Sequence, residues 1–426
     1  MIVMCIRLIL SAAISFRAVP KAIRATFSSF IAVQKQRIPS YKTVTRWLTI
    51  VGLYKLTRPK KKAKDWALIV DNSVQIGTQK CLVVLGIRLS EFKGQPLTFE
   101  DMEPLIIELH DNGSAETVCK ALEKARIKVG DVEMVCSDDG PDLRGGINAF
   151  CKKNKVGRVF DIVHKIATFL KKNLQDQLDW ELFASAAAEA KRKMQQTKAA
   201  HLAPPNQRTK SRFLNIEVLT GWAVDIIVAM EQPGHPDKEA LKTHCGWVLQ
   251  YKALIQRLKQ YVLISRSVRQ YVREKGFHKK MADEIEKNLD LLELDLDGMQ
   301  YAGVLHDFII EQSQLVPENK AWVGSSEIIE SLYGKVKHLE QDQSKGGFTS
   351  LILGAAACVG EVSTEVVAEA MRRIKTKDVD AWVKEQIGET LVSKRRKSLG
   401  LWRKRKIKLK VEPDLAGIIE REAVCF

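Results

Sequence analysis

Residues 66–71 read WALIVD and residues 132–138 read VEMVCSD: two short apolar runs, each ending in an aspartate. Both read as β-strands, and the stretches around them set an order. Gly77 and Thr78 make a turn after the first run. CLVVLGIRL (81–89) is a second, β-rich run, and a third strand falls between Pro96 and Leu109. Ser114 to Ile127 has helical spacing, with Val118, Leu122 and Ala125 inward. The run ending at Asp138 leads into a helix beginning near Asp142. Arg158-Val159-Phe160-Asp161 is a fifth strand that runs into a helix carrying His164. This order predicts a mixed α/β sheet, three antiparallel strands extended by parallel ones through helical crossovers.

Beyond residue 173 the strand signals vanish until about 315. That stretch is rich in Lys, Glu, Leu, Ala and Gln and is broken at Pro204-Pro205 and at QPGHP (232–236). It predicts an all-helical insertion. Helices return from Ser325, where Ile329, Leu332, Val336 and Leu339 form one stripe. An apolar segment, Leu351 to Val359, follows, and then a helical one, Thr364 to Ile374. No internal repeat is present. The order suits a ribonuclease H-like mixed sheet with a large helical insertion.

Upstream, residues 1–56 read as helical. Ser40 is the expected N-cap of a helix running toward a stop near Gly52. Within it Val44, Trp47, Leu48 and Val51 fall on one stripe, which leaves Lys42, Thr45, Arg46 and Thr49 on the opposite, exposed face. Ser15 to Ile31 supplies a packing helix, with Pro20 blurring its boundary. Two short helices, the second with a basic, Thr-rich face, suit a helix-turn-helix that enters a major groove. The expected division is a helix-turn-helix domain (1–58), a basic linker (59–64), the first part of the α/β core (65–172), the insertion (173–315), the last part of the core (316–390) and a basic tail (391–426).

The placement of charge supports a polyanionic partner. The chain of 426 residues has a formal net charge of +17. Residues 1–64 carry eight Lys and six Arg and no acid, and residues 391–410 carry ten Lys or Arg and no acid, so the body between them is mildly acidic. Segregated basicity of this kind is the footprint of a nucleic-acid-binding protein; an anionic membrane surface is the competing reading. The eight cysteines are scattered with no C-x-x-C pair, against a zinc module or a disulfide framework and in keeping with a reducing, cytoplasmic setting. Arg7 interrupts the apolar N-terminus and Arg17 ends it, which argues against a signal peptide. No stretch reaches the ~20 apolar residues of a membrane span.

An aspartate where a strand meets a loop is common, but two on neighbouring strand ends, completed by an acid on a packed helix, would meet at one point. Phosphodiester cleavage and joining uses two divalent cations about 3.5–4 Å apart, and such hard ions take oxygen ligands. At this point a resemblance becomes specific. Asp71-Asn72-Ser73-Val74-Gln75-Ile76-Gly77, leading into CLVVLGIRL, resembles the first-strand motif of bacterial insertion-sequence transposases of the Asp-Asp-Glu class. Ser137-Asp138-Asp139-Gly140-Pro141-Asp142-Leu143 resembles their second acidic motif, and Asp161-Ile162-Val163-His164-Lys165 a following Asp-x-x-His-Lys signature. SSEIIESLYGKVK (325–337) resembles the helix that carries their catalytic Glu, and PSYKTVTRWL (39–48) their DNA-binding helix.

The resemblance implies that Asp71, Asp138 and Glu330 are the catalytic metal ligands, for two Mg²⁺ or Mn²⁺ ions. Asp138 and Asp139 are adjacent, so their side chains leave opposite faces of a strand; Asp138 fits the Ser-Asp-x-Gly form better. Glu327 and Glu330 share a helical face, and periodicity does not separate them. Glu330 to Lys337 reproduces the Glu-x6-Lys spacing of one branch of the family, although Val323 and Ser326 stand where that branch has Tyr and Arg. Lys337 is either a phosphate contact or a solvated lysine. His164 either positions substrate or water, or is a structural hydrogen-bonder. Trp180, Trp222 and Trp247 match in kind the aromatic that stabilises a flipped base in related enzymes, but core packing is expected of each.

The implied activity is metal-dependent cleavage at the ends of a mobile element, then attack of the exposed 3′-OH on target DNA. The implied partners are the element's terminal repeats, target DNA and a second subunit, with no membrane and no small-molecule substrate. A DNA-binding regulator with an inert body of the same fold, and a nuclease that cuts without joining, are the alternatives. One expectation rests on charge alone. Neutralising the basic residues of 394–410 should weaken binding to all DNA sequences alike, because phosphate contacts position a protein without reading bases. Gel-shift titrations on two unrelated duplexes check it; a loss confined to one duplex would be the contrary result.

Overall fold

The structure, a computed structural model, describes residues 1–30, 38–72, 79–110, 113–207, 213, 216–341, 347–390 and 393–399, the side chains of 28–30 excepted. The Ser73–Gly77 part of the first acidic motif, the turn at Gly77 and Thr78 and the tail from 400 lie outside those residues.

Five strands form one sheet: β1 (Ala63–Asn72), β2 (Lys80–Arg88), β3 (Glu103–His110), β4 (Gly130–Ser137) and β5 (Gly157–Phe160). Their order is β3-β2-β1-β4-β5, with β1 and β2 antiparallel, β2 and β3 antiparallel, and β1, β4 and β5 parallel. The mixed α/β sheet expected from the sequence is therefore present, and it is compatible with a ribonuclease H-like fold. Alternate residues of a strand leave opposite faces. Trp66, Leu68 and Val70 enter one core, while Ala67 and Ile69 enter a second, larger one. Helices cover both faces, so β1 is an unbroken apolar run.

The N-terminal helices are α1 (Ile2–Leu10), α2 (Val19–Phe30) and α3 (Tyr41–Thr57). The crossovers are α4 (Ala115–Val129), whose N-cap Ser114 accepts from Thr117 N, and α5 (Pro141–Asn154). The helix α6 (Ile162–Leu174) follows β5. The insertion is then helical throughout its described elements: α7 (Leu178–Met194), α8 (Ile216–Glu231), α9 (Lys238–Cys245), α10 (Lys252–Lys275), α11 (Met281–Leu289) and α12 (Leu296–Leu315). A short antiparallel bridge between Phe277 and Trp322 returns the chain to the sheet. The Trp322 ring lies against Gly157 at the start of β5, where a Cβ would come within 2.0 Å of it. The last helices are α13 (Glu327–Glu340), α14 (Leu353–Cys358), α15 (Thr364–Arg373) and α16 (Thr376–Gln386). Among the described residues, no helix is long and apolar enough to cross a membrane, and the described cysteines are free.

The N-terminal segment departs most from expectation. Ser40 caps α3 as anticipated, its Oγ accepting from Thr43 N at 3.2 Å. But α3 does not stop near Gly52. It runs to Thr57 and packs against α14, α15, α16 and β3. Gly52 is the point of closest approach to α14, where a Cβ would sit 2.0 Å from the Leu353 carbonyl oxygen. This broad contact buries Thr49, which was expected on the exposed face; its Oγ1 donates to Arg46 O at 2.9 Å instead. Lys42 and Arg46 are exposed, Thr45 is half-buried, and Trp47 sits half-buried at the margin of the core.

In the stretch 59–64, expected as a basic linker, Lys61, Lys62 and Lys64 are exposed, but the segment is tied into the body at both ends. β1 already begins at Ala63, and Lys60 is buried, donating to Lys55 O at 2.6 Å and pairing with Glu103 Oε2 at 2.5 Å. Arg58 takes the other oxygen of Glu103. Lys55 is fully buried, and its Nζ donates to the carbonyls of Ala357, Val359 and Gly360 at 3.0, 2.8 and 3.0 Å. Burial pushes Lys55 down to about 7, while three carbonyl partners favour its charged form. The ammonium thus takes up carbonyls at the C-terminal end of α14, which no backbone N–H of that helix reaches. Lys55→Met should strand those carbonyls and destabilise the chain by about 1–3 kcal/mol. Thermal and urea unfolding of the full chain measure it, and an unchanged midpoint would be the contrary result.

Candidate active site

The two candidate aspartates meet because β1 and β4 are parallel neighbours. Val70 lies opposite Ser137, so Asp71 and Asp138 follow at the same level on adjacent strand ends. Strand alternation sends them to the same face: Ala67 and Ile69 on β1, and Met134 and Cys136 on β4, all enter the larger core. Asp139 leaves the opposite face, where it pairs with Arg144 at 2.7 Å and Arg158 at 3.1 Å. Asp138 is therefore the aspartate brought to Asp71. Its Oδ1 accepts from Gly140 N at 3.2 Å, a turn that aims the carboxylate back over the strand end.

The third acid arrives on α13, which two contacts dock to the sheet. Tyr333 OH donates to Asp71 O at 3.1 Å. At the start of the helix, the N-cap residue Ser326 donates from both N and Oγ to Asp161 Oδ2, the hydroxyl at 2.5 Å. Asp161 Oδ1 accepts from Val163 N and His164 N at 2.6 and 2.9 Å, which caps α6. One buried carboxylate so joins the first turns of α6 and α13. The β4 strand end is tied in as well, because Asp161 N donates to Ser137 O at 2.9 Å. Burial would raise the Asp161 pKa, but His164 and Ser326 together hold it below the usual carboxylate range.

The two glutamates of α13 part company in this setting. Glu327 pairs with Arg273 of α10 at 3.0 Å. Glu330 lies 3.3 Å from His164 Nε2 and is raised by burial first, with Asp161, Glu327 and Asp138 adding repulsion against His164. Asp71 is pushed up to about 7, by burial and then by the charge of Asp138, with Glu330 contributing. His164 stands among these acids. Burial lowers it, but Asp161, Glu330 and Asp138 outweigh that and raise it to about 9, so the ring is a cation at neutral pH. Its Nδ1 is 3.5 Å from Asp161 Oδ1, an ion-pair separation without a hydrogen bond.

Three carboxylates with one imidazolium leave excess negative charge in a half-buried place, the condition that a divalent cation relieves. The donors are the hard oxygens that Mg²⁺ or Mn²⁺ takes, and Mg²⁺ is often held by one or two carboxylates, with water and phosphate completing its shell. Asp71 and Asp138 suit that role. Among the described residues, however, no group of three or more His, Cys, Asp or Glu side chains is arranged to hold a metal ion. The third carboxylate, Glu330, is engaged with His164.

Lys337 is exposed, two turns beyond Glu330 on the same face of α13. The tryptophans of the insertion are packing residues. Trp180 is fully buried, Trp222 donates to Leu202 O at 3.0 Å, and Trp247 tilts against Trp222 with ring centroids 6.0 Å apart. Asp161 and Tyr333 are the residues that sequence reasoning passed over. Asp161 stood inside the Asp-x-x-His-Lys stretch just before a helix, the position where an N-cap is expected. Nothing local marked Tyr333, whose partner lies on the first strand.

No family model matches the chain, and no curated protein matches it. Among solved structures, a chain of the Drosophila P element transposase strand transfer complex matches at 12% identity with a TM-score of 0.42, covering 86% of this chain and 92% of that one.

Asp161→Asn should be damaging despite its near-identical shape. An amide has one acceptor oxygen where the carboxylate has two, so it serves either the α6 cap or Ser326, and its NH₂ then faces a donor. A loss of at least about 2 kcal/mol is expected, since the bonds lost go to a buried charged acceptor. Urea unfolding measures it, and hydrogen exchange should locate the loosening at the first turns of α6 and α13. Unchanged protection there would count against the joint.

Proposed function

We propose that this chain is a transposase of the Asp-Asp-Glu class, which binds the ends of a mobile element and catalyses metal-dependent strand cleavage and 3′-OH strand transfer. The observation that carries the reading is that Asp71 and Asp138 stand at one level on the C-terminal ends of two adjacent parallel strands, with Glu330 of α13 near enough to add to the repulsion on Asp71. Asp71 and Asp138 would hold the metal, with Glu330 completing the set once released from His164. Bound Mg²⁺ or Mn²⁺ would supply charge neutralisation on the phosphate and an activated oxygen nucleophile. The chain's own contribution is position. Tyr333 and Asp161 fix α13 against β1 and β4, and the His164 cation tempers the repulsion among the acids. The exposed Lys42, Arg46 and Lys337, with the basic tail, offer contacts to DNA phosphates, and terminal repeats, target DNA and a second subunit are the partners.

The pairing of Glu330 with the His164 cation favours one rival, a DNA-binding regulator whose body no longer cuts. A single set of measurements separates the two. Asp71→Asn, Asp138→Asn and Glu330→Gln should each abolish cleavage of plasmid DNA that carries the coding sequence with its own flanks, while DNA binding persists. Losing several kcal/mol of charge stabilisation corresponds to about 100-fold or more in rate. Chelation of divalent ions should stop the wild type equally. Asp139→Asn and Glu327→Gln should keep most of the activity. Binding without metal-dependent cleavage by the wild type would establish the regulator, and loss in Asp139→Asn but not Asp138→Asn would reverse the choice of aspartate.

A further inference from the structure

Next to His164 on α6, Lys165 has an unusual setting. Its Nζ lies 5.4 Å from the ring centroid of Phe160, 5.3 Å from that of Phe169 and 5.1 Å from that of Phe308, three rings contributed by β5, α6 and α12. Phe169 and Phe308 meet edge to face at 6.2 Å, so the cradle is itself packed. Lys165 is half-buried, and among the described residues it forms no ion pair. On the Phe160 ring sits a second cation, the Arg158 guanidinium, 4.7 Å from the centroid. Arg158 is itself engaged, by Asp139 at 3.1 Å and by Asn148, and its side chain is nearly buried, so of the two cations on this ring it is Lys165 that has no carboxylate partner among the described residues.

Aromatic faces attract a cation through their quadrupole but do not neutralise it. Rings therefore do what a carboxylate partner would not: they orient the ammonium, strip part of its water and leave its whole charge for an anion. The location is equally pointed. β5 is the edge strand next to β4, and Phe160 lies opposite Ser137, one residue before Asp138. A nucleic-acid strand with a phosphate at Asp71 and Asp138, continuing from β1 across β4, next meets the C-terminal end of β5, about 4.8 Å farther on.

We propose that Lys165, cradled by Phe160, Phe169 and Phe308, forms a phosphate-binding step for the DNA backbone at the C-terminal end of β5, next to His164. This rests on the reading of the chain as a DNA-processing protein and adds the path that the DNA takes. It also gives the insertion a role, since Phe308 of α12 closes the cradle, and Gln312 of the same helix accepts from Phe160 N at 3.0 Å.

The test is equilibrium binding of the full chain to a duplex of arbitrary sequence over a series of salt concentrations, which needs no cleavage and no knowledge of the terminal repeats. Lys165→Met should reduce the slope of log K against log salt by about 0.9, the share of one phosphate contact on duplex DNA. Lys165→Arg should restore it. Lys165→Gln should lower the slope in the same way, and it carries the test if Lys165→Met fails to fold by circular dichroism. A folded Lys165→Met with the wild-type slope would overturn the proposal and leave Lys165 a tether between α6 and α12. A wild type that binds no duplex at all would instead sink the functional reading, and this proposal with it.

Discussion

A single buried carboxylate holds the candidate site together. Asp161 is 1% exposed and accepts from four donors, two on α6 and two on Ser326 at the start of α13. A carboxylate buried without partners would take up a proton, but one that accepts several N–H and O–H bonds stays ionised. The arrangement is self-consistent for that reason: the charge is tolerable only while both helix ends deliver their donors, and the helix ends are aligned only while the charge is present. Glu330 lies one turn beyond this joint and His164 directly on it, so their positions follow from the anchorage of the two first turns.

The sheet supplies the other constraint. Parallel pairing of β1 with β4 in the Val70–Ser137 register brings two aspartates to one level, and strand alternation gives them one face. Burial first, and then the charge of Asp138 on the neighbouring strand end, push Asp71 up to about 7. The site tolerates this strain because His164 carries a positive charge into it, itself sustained by Asp161 and Glu330. A cluster of acids held together in this way costs the fold stability.

The N-terminal basic segment shows that charge and availability differ. Lys55 and Lys60 belong to an acid-free stretch that reads as a polyanion footprint, yet both are internal, one on helix-end carbonyls and the other on Glu103. Arg58 is tied to the same glutamate. Lys42 and Arg46 remain exposed on the first turns of α3, while the rest of that helix is part of the central packing. A helix clamped by Gly52 against α14 is a fixed surface of the body rather than a freely pivoting domain.

The sequence alone determined the strand and helix order, the Ser40 cap, the helical character of the insertion and the pairing of strand ends with aspartates. These are local properties, set by side-chain period and by residues that satisfy the first backbone N–H groups of a helix. Choosing Asp138 over Asp139 was half legible, since alternation separates them but does not say which face is occupied. Glu330 and Glu327 share a helical face, so only Arg273 on α10 and His164 on α6 distinguish them. The burial of Thr49, Lys55 and Lys60 and the roles of Tyr333 and Asp161 were decided by tertiary structure. Each depends on a partner far away in the chain, and no periodicity within a segment records where such a partner will lie.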